Sequence, residues 1–120
     1  MVPVIQHGMR SLRPDEVDLL NALIALMPEG EKPVVPDPIY AVDLRDGGMG
    51  SVRLAAGPDD APRRMGRELV TVSYTDDDHV PVSISLNVDE RGCLFEIDIW
   101  KVDFSPLLRY PRPGELHRAT

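Results

Sequence analysis

Cysteine is almost missing from this chain. A single thiol, Cys93, in 120 residues cannot close an internal disulfide, so the fold must stand on buried apolar surface, as in a reducing cytosol. Aromatic residues are scarce at 5%, and Trp100 is the only tryptophan. Lysine is rare as well, two against eleven arginines, a bias that reflects coding more than chemistry. Positive charge as a whole is short: 20 acidic residues face 13 basic ones, for a formal charge of −7. A chain-wide negative field disfavours nucleic acid or an anionic membrane as partner. No apolar run approaches the roughly 20 residues of a membrane span. The segment Met1 to Met9 lacks the apolar stretch and small-residue cleavage site of a secretory signal, so a cytoplasmic location is expected.

What is present is 42% hydrophobic residue in a chain sized for one domain with one core. The expectation is a single domain over 1–120, ordered over about 9–108, with a flexible tail over about 111–120. Arg63, Arg64 and Arg67 form the one tight basic group. Asp59, Asp60 and Glu68 flank it and cancel its field within a Debye length of about 8 Å, so it reads as a solvated loop.

The first regular element is a helix from about Pro14 to Met27. Pro14 suits the first helical position, Asp15 and Glu16 complement the positive end of the dipole, and Pro28 and Gly30 close the segment. Val17, Leu19, Leu20, Leu23, Ile24, Leu26 and Met27 make a wide apolar arc, so the helix is expected to be gripped on most of its circumference. Prolines 28, 33, 36 and 38 mark residues 28–38 as an extended crossover. Strand patterns dominate from there. Ile39–Arg45 and Ser51–Ala56 read as a hairpin around Asp46-Gly-Gly-Met-Gly50. Arg67–Thr75, Val80–Val88 and Leu94–Val102 follow, joined by the turns Asp76-Asp-Asp-His79 and Asp89-Glu-Arg-Gly92. Period-two alternation points Val70, Val72, Tyr74, Val82, Ile84, Leu86, Val88, Phe95, Ile97 and Ile99 inward. The fold class is therefore α+β: one N-terminal helix packed on a curved antiparallel meander sheet of four to five strands.

Four features invite a functional reading. The glycine loop around Asp46 and Gly48 offers unshielded amides for an anion, but it leads into a strand rather than a helix, which favours a bulged hairpin turn. Asp76, Asp77, Asp78 and His79 are good metal ligands by type. They lack the spacing and closing glutamate of a calcium loop, so a solvated turn is expected, with His79 accepting a left-handed torsion. Cys93 has no evident base, since His7, His79 and His117 fall in a terminus, a turn and a tail, and catalysis is poorly provided for. The strongest constellation lies on the last strand. Glu96, Asp98 and Trp100 stand about 7 Å apart on one face, and Ser83, Ser85 and Asn87 should line the adjoining strand. That row reads either as an ordinary wet face or as a binding face, tryptophan being common among interface hot spots. Two carboxylates at i and i+2 also allow glycosidase-type acid–base work in principle, but no pocket-forming loops accompany them.

Asp46-Gly-Gly-Met-Gly-Ser51 and Asp98-Ile-Trp-Lys-Val-Asp-Phe-Ser-Pro-Leu107, with Arg10-Ser-Leu12 ahead of the helix, resemble the signature of a small bacterial family of unknown function. The resemblance spans roughly residues 9–108. It implies no activity or cofactor and carries over no catalytic residue. Small acidic bacterial domains include immunity proteins that neutralise toxins, an analogy at the level of type.

Two readings follow. One is a non-enzymatic interaction module without metal or cofactor, contacting another protein or a second copy through Glu96, Asp98, Trp100, Ser85 and Asn87, with the glycine loop near one end. The alternative is a small-ligand binder or enzyme whose pocket, of about 300 Å³ or more, lies between helix and sheet. The strand assignment makes a direct prediction. Ile97→Asp should abolish the cooperative melt, because burying an unpaired carboxyl in place of a core side chain removes several kcal/mol from the roughly 5–15 kcal/mol that hold a domain together. A melt near wild type, followed by circular dichroism, would refute the assigned faces.

Overall fold

The alternating segments do form the centre of the molecule. A computed structural model describes residues 8–57 and 62–118; His7, Asp59 and Asp60 lie outside the described residues. The three long strands are β4 (Met65–Thr75), β5 (Pro81–Asp89) and β6 (Leu94–Lys101), and β1 (Met9–Ser11), β2 (Tyr40–Asp43), β3 (Val52–Ala55) and β7 (His117–Arg118) extend the sheet on either side. Helix α1 (Pro14–Ala25) follows β1, so the helix is not the first element. The architecture is α+β, but the sheet has seven strands rather than four or five. Both added strands are too short for any periodic signal, being three and two residues long.

The order β1-β2-β3-β6-β5-β4-β7 also departs from a simple meander. Two three-stranded meanders, β1 to β3 and β4 to β6, are joined through an antiparallel β3–β6 pairing of Val52 with Ile97 and Arg53 with Glu96. The last strand of the second unit thus returns to lie beside the last strand of the first. That places the two motifs around residues 46–51 and 98–107 next to each other.

Inward residues Val52, Leu54, Val70, Val72, Tyr74, Val82, Ile84, Leu86, Ile97 and Ile99 share one apolar core with Leu19, Leu20 and Leu23 of the helix. Phe95 is the exception among the expected inward residues. Asn87 faces Glu96 while Val88 faces Leu94, so Phe95 is the extra residue of a bulge. Leu94 takes its place in the core. Phe95 is buried instead against two guanidinium groups, Arg53 at 4.2 Å and Arg63 at 5.1 Å from the ring centroid.

Helix α1 is held along one stripe, not most of its circumference. Glu16, Leu19, Leu20 and Leu23 are buried, followed by Met27 beyond the helix end, while Val17 and Ala25 are exposed. Glu16 does more than favour the dipole. Its carboxylate accepts the Arg13 backbone N–H at 2.7 Å and two hydrogen bonds from Arg10, at 2.7 and 2.8 Å. Arg10 also reaches Asp43 at 2.6 Å, tying β1, α1 and β2 together.

The C-terminal segment packs on the body as far as residue 118. Pro111 is buried, Pro113–Glu115 makes a 3-10 turn, and β7 pairs His117 with Ser73 and Arg118 with Val72. Arg109 explains the order. It bridges Asp77 at 2.7 Å and the two oxygens of Glu115 at 2.7 Å each, and its carbonyl accepts the Tyr74 hydroxyl. Together α1 and this segment cover the inner face of the sheet. Arg63 is likewise no solvated loop residue: it donates to Asp89, to the Leu54 carbonyl and to the Leu94 carbonyl, clamping β3, β5 and β6.

Candidate functional site

Antiparallel register brings the sequence-derived row together. Ser83 lies opposite Trp100, Ser85 opposite Asp98 and Asn87 opposite Glu96, so the two columns are direct cross-strand neighbours about 5 Å apart. The third column comes from β4, with Ser73 beside Ser83 and Thr71 beside Ser85. Glu68 accepts hydrogen bonds from Thr71 and from Ser85, the latter at 2.7 Å, and these hold its carboxyl below the usual range. The row is not uniformly wet. Asp98 and Trp100 are exposed and Glu96 is half-buried, tied to Arg53 at 3.4 Å. Asn87 is buried beside the Phe95 bulge, and its Oδ1 has no hydrogen-bond partner among the described residues.

At the Trp100 end the face turns apolar. Trp100 and Phe104 lie with ring centroids 6.1 Å apart and planes at 41°, and both are exposed, as is Val102. Phe104 has φ +63, a left-handed torsion that a bulky residue adopts only at a cost. Its N–H donates to the Lys101 carbonyl at 2.9 Å, closing the turn.

Directly behind this turn sits a fully buried ammonium. Lys101 Nζ donates to Asp76 at 2.9 Å, Asp78 at 2.6 Å and the Pro106 carbonyl at 3.1 Å, so all three of its protons are satisfied. The turn Asp76 to His79 is thus not simply solvated. Asp76 is buried and accepts the Leu108 N–H as well, although His79 does take the expected left-handed torsion, φ +66. Burial alone would raise the Asp76 carboxyl, but the Leu108 amide and Lys101 outweigh it and hold it below its ordinary value. Burial alone would lower the Lys101 ammonium. The facing carboxylates of Asp78 and Asp76 reverse that and raise it.

The glycine loop packs against the same segment. Leu107 N–H donates to the Gly48 carbonyl at 2.9 Å, the Tyr110 hydroxyl to the Gly50 carbonyl at 2.8 Å, and Ser51 Oγ accepts the Ile99 N–H at 2.8 Å. A side chain at Gly48, which has φ +84, would begin 3.3 Å from Pro106. Asp46 takes the amides of Met49 and Ser51 at 3.0 and 2.8 Å, so the donors an anion would need are held by the loop's own carboxylate. The loop backs the Trp100–Phe104 turn from within. Residues 9–111 match the family described as Domain of unknown function (DUF6984). The chain belongs to this family. No curated protein and no solved structure matches it.

The DUF6984 match spans both motifs and the lysine cage that joins them. Lys101 and Asp76 were legible in principle. They continue the inward parity of Ile97 and Ile99, and of Val70, Val72 and Tyr74, so opposite charges were due at one end of the core. Phe104 carried no such signal, because it lies past the last alternating residue. A hollow of about 610 Å³ does exist in this DUF6984 domain, lined by Val34, Pro36, Ala55, Cys93, Leu94 and the Arg63–Asp89 pair among others. No residue of α1 lines it, so it is not the expected pocket between helix and sheet. Cys93 lies in the turn at one end of β5 and His79 in the turn at the other, separated by roughly 27 Å of strand.

Two outcomes follow from the cage. Asp76→Ala should cost about 3–5 kcal/mol in urea unfolding, because it strands part of a buried charge, and adding Lys101→Met should recover some of that loss. Additive losses would show that the pair is uncoupled. Glu16, Asp76 and Asp89 are all held below their ordinary values, so their contribution to stability is complete above the usual carboxylate range near pH 4 and falls away as pH drops below it. Lys101 is raised, so its contribution is complete below 10.5 and is lost only as pH climbs beyond that. Thermal melts should be flat from about pH 5 to 9 and drop below pH 4, less steeply for Asp76→Ala.

Proposed function

We propose that this domain is a protein-interaction module that performs no chemistry of its own, working through the outer face of β5 and β6 in the manner of an inhibitor. The observation that carries this reading is a solvent-exposed tryptophan closing a row of hydrogen-bonding side chains. Ser83, Ser85 and Asn87 pair across strands with Trp100, Asp98 and Glu96, and Trp100 is 51% exposed although it is the only tryptophan of the chain. An apolar anchor beside polar groups is the composition of an interface centre and rim. The acidic surface favours a basic partner and speeds encounter more than it deepens affinity. Asp46 and Gly48 contribute as backing for this face rather than as contact groups.

The hollow lined by Val34, Ala55, Cys93 and Leu94 supports the small-ligand reading to a lesser degree. Its buried polar pair, Arg63 and Asp89, is turned inward on itself at 2.9 Å rather than toward a guest.

The test is affinity purification of the tagged chain from its own host beside Trp100→Ala and Ser85→Arg. One stoichiometric partner should accompany the wild-type chain and be lost from both variants, while all three proteins melt within a few degrees of each other. Equal retention by the variants would remove this face from the function. A collapsed Trp100→Ala melt would assign the indole to the core.

A further inference from the structure

The turn that ends the outer face of β5 and β6 carries an aromatic side chain on a strained backbone. Phe104 presents its ring to solvent, 67% exposed, from a left-handed backbone torsion of +63°. Glycine would hold that torsion without strain and would expose no apolar surface. The contact with Trp100 is the one packing the ring makes with another aromatic, and it leaves most of the ring in water, so strain that persists at so exposed a position points to a use for the side chain.

The surroundings of the ring make it a fixed object. Trp100 flanks it at 6.1 Å between centroids, and Val102 adds further exposed apolar surface. The Lys101 carbonyl holds the Phe104 amide, and Asp103 accepts the Ser105 N–H at 3.0 Å and hydroxyl at 2.6 Å. The Lys101 ammonium holds the Pro106 carbonyl, and the Gly48 carbonyl holds the Leu107 amide. Every residue from 103 to 107 is thus tied down on one side of the aromatic pair or the other. A preformed anchor loses little conformational freedom when a partner closes on it.

Charge then selects the partner. Between residues 96 and 105 the sequence has one cation, Lys101, and it is buried and neutralised by Asp76 and Asp78. Asp98 and Asp103 remain exposed, the one two residues before Trp100 and the other next to Phe104. A second copy docking here would set these carboxylates against their own counterparts. An arginine or lysine would meet them and would also find the exposed indole face, to which guanidinium groups are drawn.

We infer that Trp100 and Phe104 form a preorganised aromatic plug for an apolar socket on a partner protein whose rim carries arginine or lysine. This rests on the interaction reading above, and the test separates the two. A random dodecapeptide library displayed on phage is selected on the wild-type protein, and the recovered peptides are measured by fluorescence of Trp100. Recovered sequences should interleave apolar residues with arginine or lysine. Binding should weaken at least tenfold in Phe104→Gly, several-fold in Asp98→Asn with Asp103→Asn, and with added salt, while Asp15→Asn with Asp18→Asn on the helix leaves it unchanged. Phe104→Gly should melt within a few degrees of wild type, since relieved strain offsets the lost contact with Trp100. Recovered peptides that lack cations, or that bind Phe104→Gly equally well, would overturn the plug while leaving an interaction module in place. A library that enriches nothing would sink both. A dimer in sedimentation that Phe104→Gly dissolves would replace the basic partner with a second copy, and a large fall in the Phe104→Gly melting temperature would make the ring structural.

Discussion

A lysine ammonium buried at the end of the sheet organises this molecule. Lys101 continues the inward face of β6, and an ionised group in that position is tolerated only with its donors filled. Asp76, Asp78 and the Pro106 carbonyl fill them. These partners come from the β4–β5 turn and from the segment after β6. One charge therefore fixes the turn, the strand end and the start of the C-terminal run together. Arg109 continues the same logic outward to Asp77 and Glu115. The C-terminal run is held both by polar groups that partner Lys101 and Asp76 and by Leu107, Tyr110 and Leu116 packed on the core.

The glycine loop belongs to the same arrangement. Its carbonyls at Gly48 and Gly50 receive Leu107 and Tyr110, and Asp46 consumes the amides that would have made an anion nest. The segments around residues 46–51 and 98–107 are thus a single contact seen from two places in the chain. What they hold in position is the Trp100–Phe104 turn at the edge of the polar sheet face. The acid-rich surface, the paired columns on β5 and β6 and the aromatic pair are the grounds for reading the domain as a binding module.

Legibility varied with the length of the signal. The three long strands, the inward residues from Val70 to Ile99 and the row of Glu96, Asp98 and Trp100 beside Ser83, Ser85 and Asn87 followed from alternation, which is a local property. Phe95 departed from it because a bulge inserts one residue and hands its core place to Leu94. The short strands β1 and β7 were invisible because two or three residues carry no period. The Asp76 turn departs from its solvated reading for a different reason, and Lys101 carries no reading of its own. Parity turns both side chains inward, and only the pairing of the two makes their burial tolerable.

Composition and patterning by themselves determined that this is an acidic chain with no internal disulfide, with a helix and antiparallel strands whose apolar side chains share a face. Those are statements about neighbours in the chain, and hydrophobic periodicity encodes them directly. The tertiary structure alone decided that β6 returns to β3, that the C-terminal segment is a structural layer, and that Phe104 stands strained beside Trp100. The first two depend on groups 25 to 92 residues apart finding hydrogen-bond and ion-pair partners, as Lys101 does with Asp76 and Arg118 with the Leu26 carbonyl. Such pairings are chosen by which buried polar groups would otherwise go unsatisfied, a condition that exists only once the chain has closed on itself.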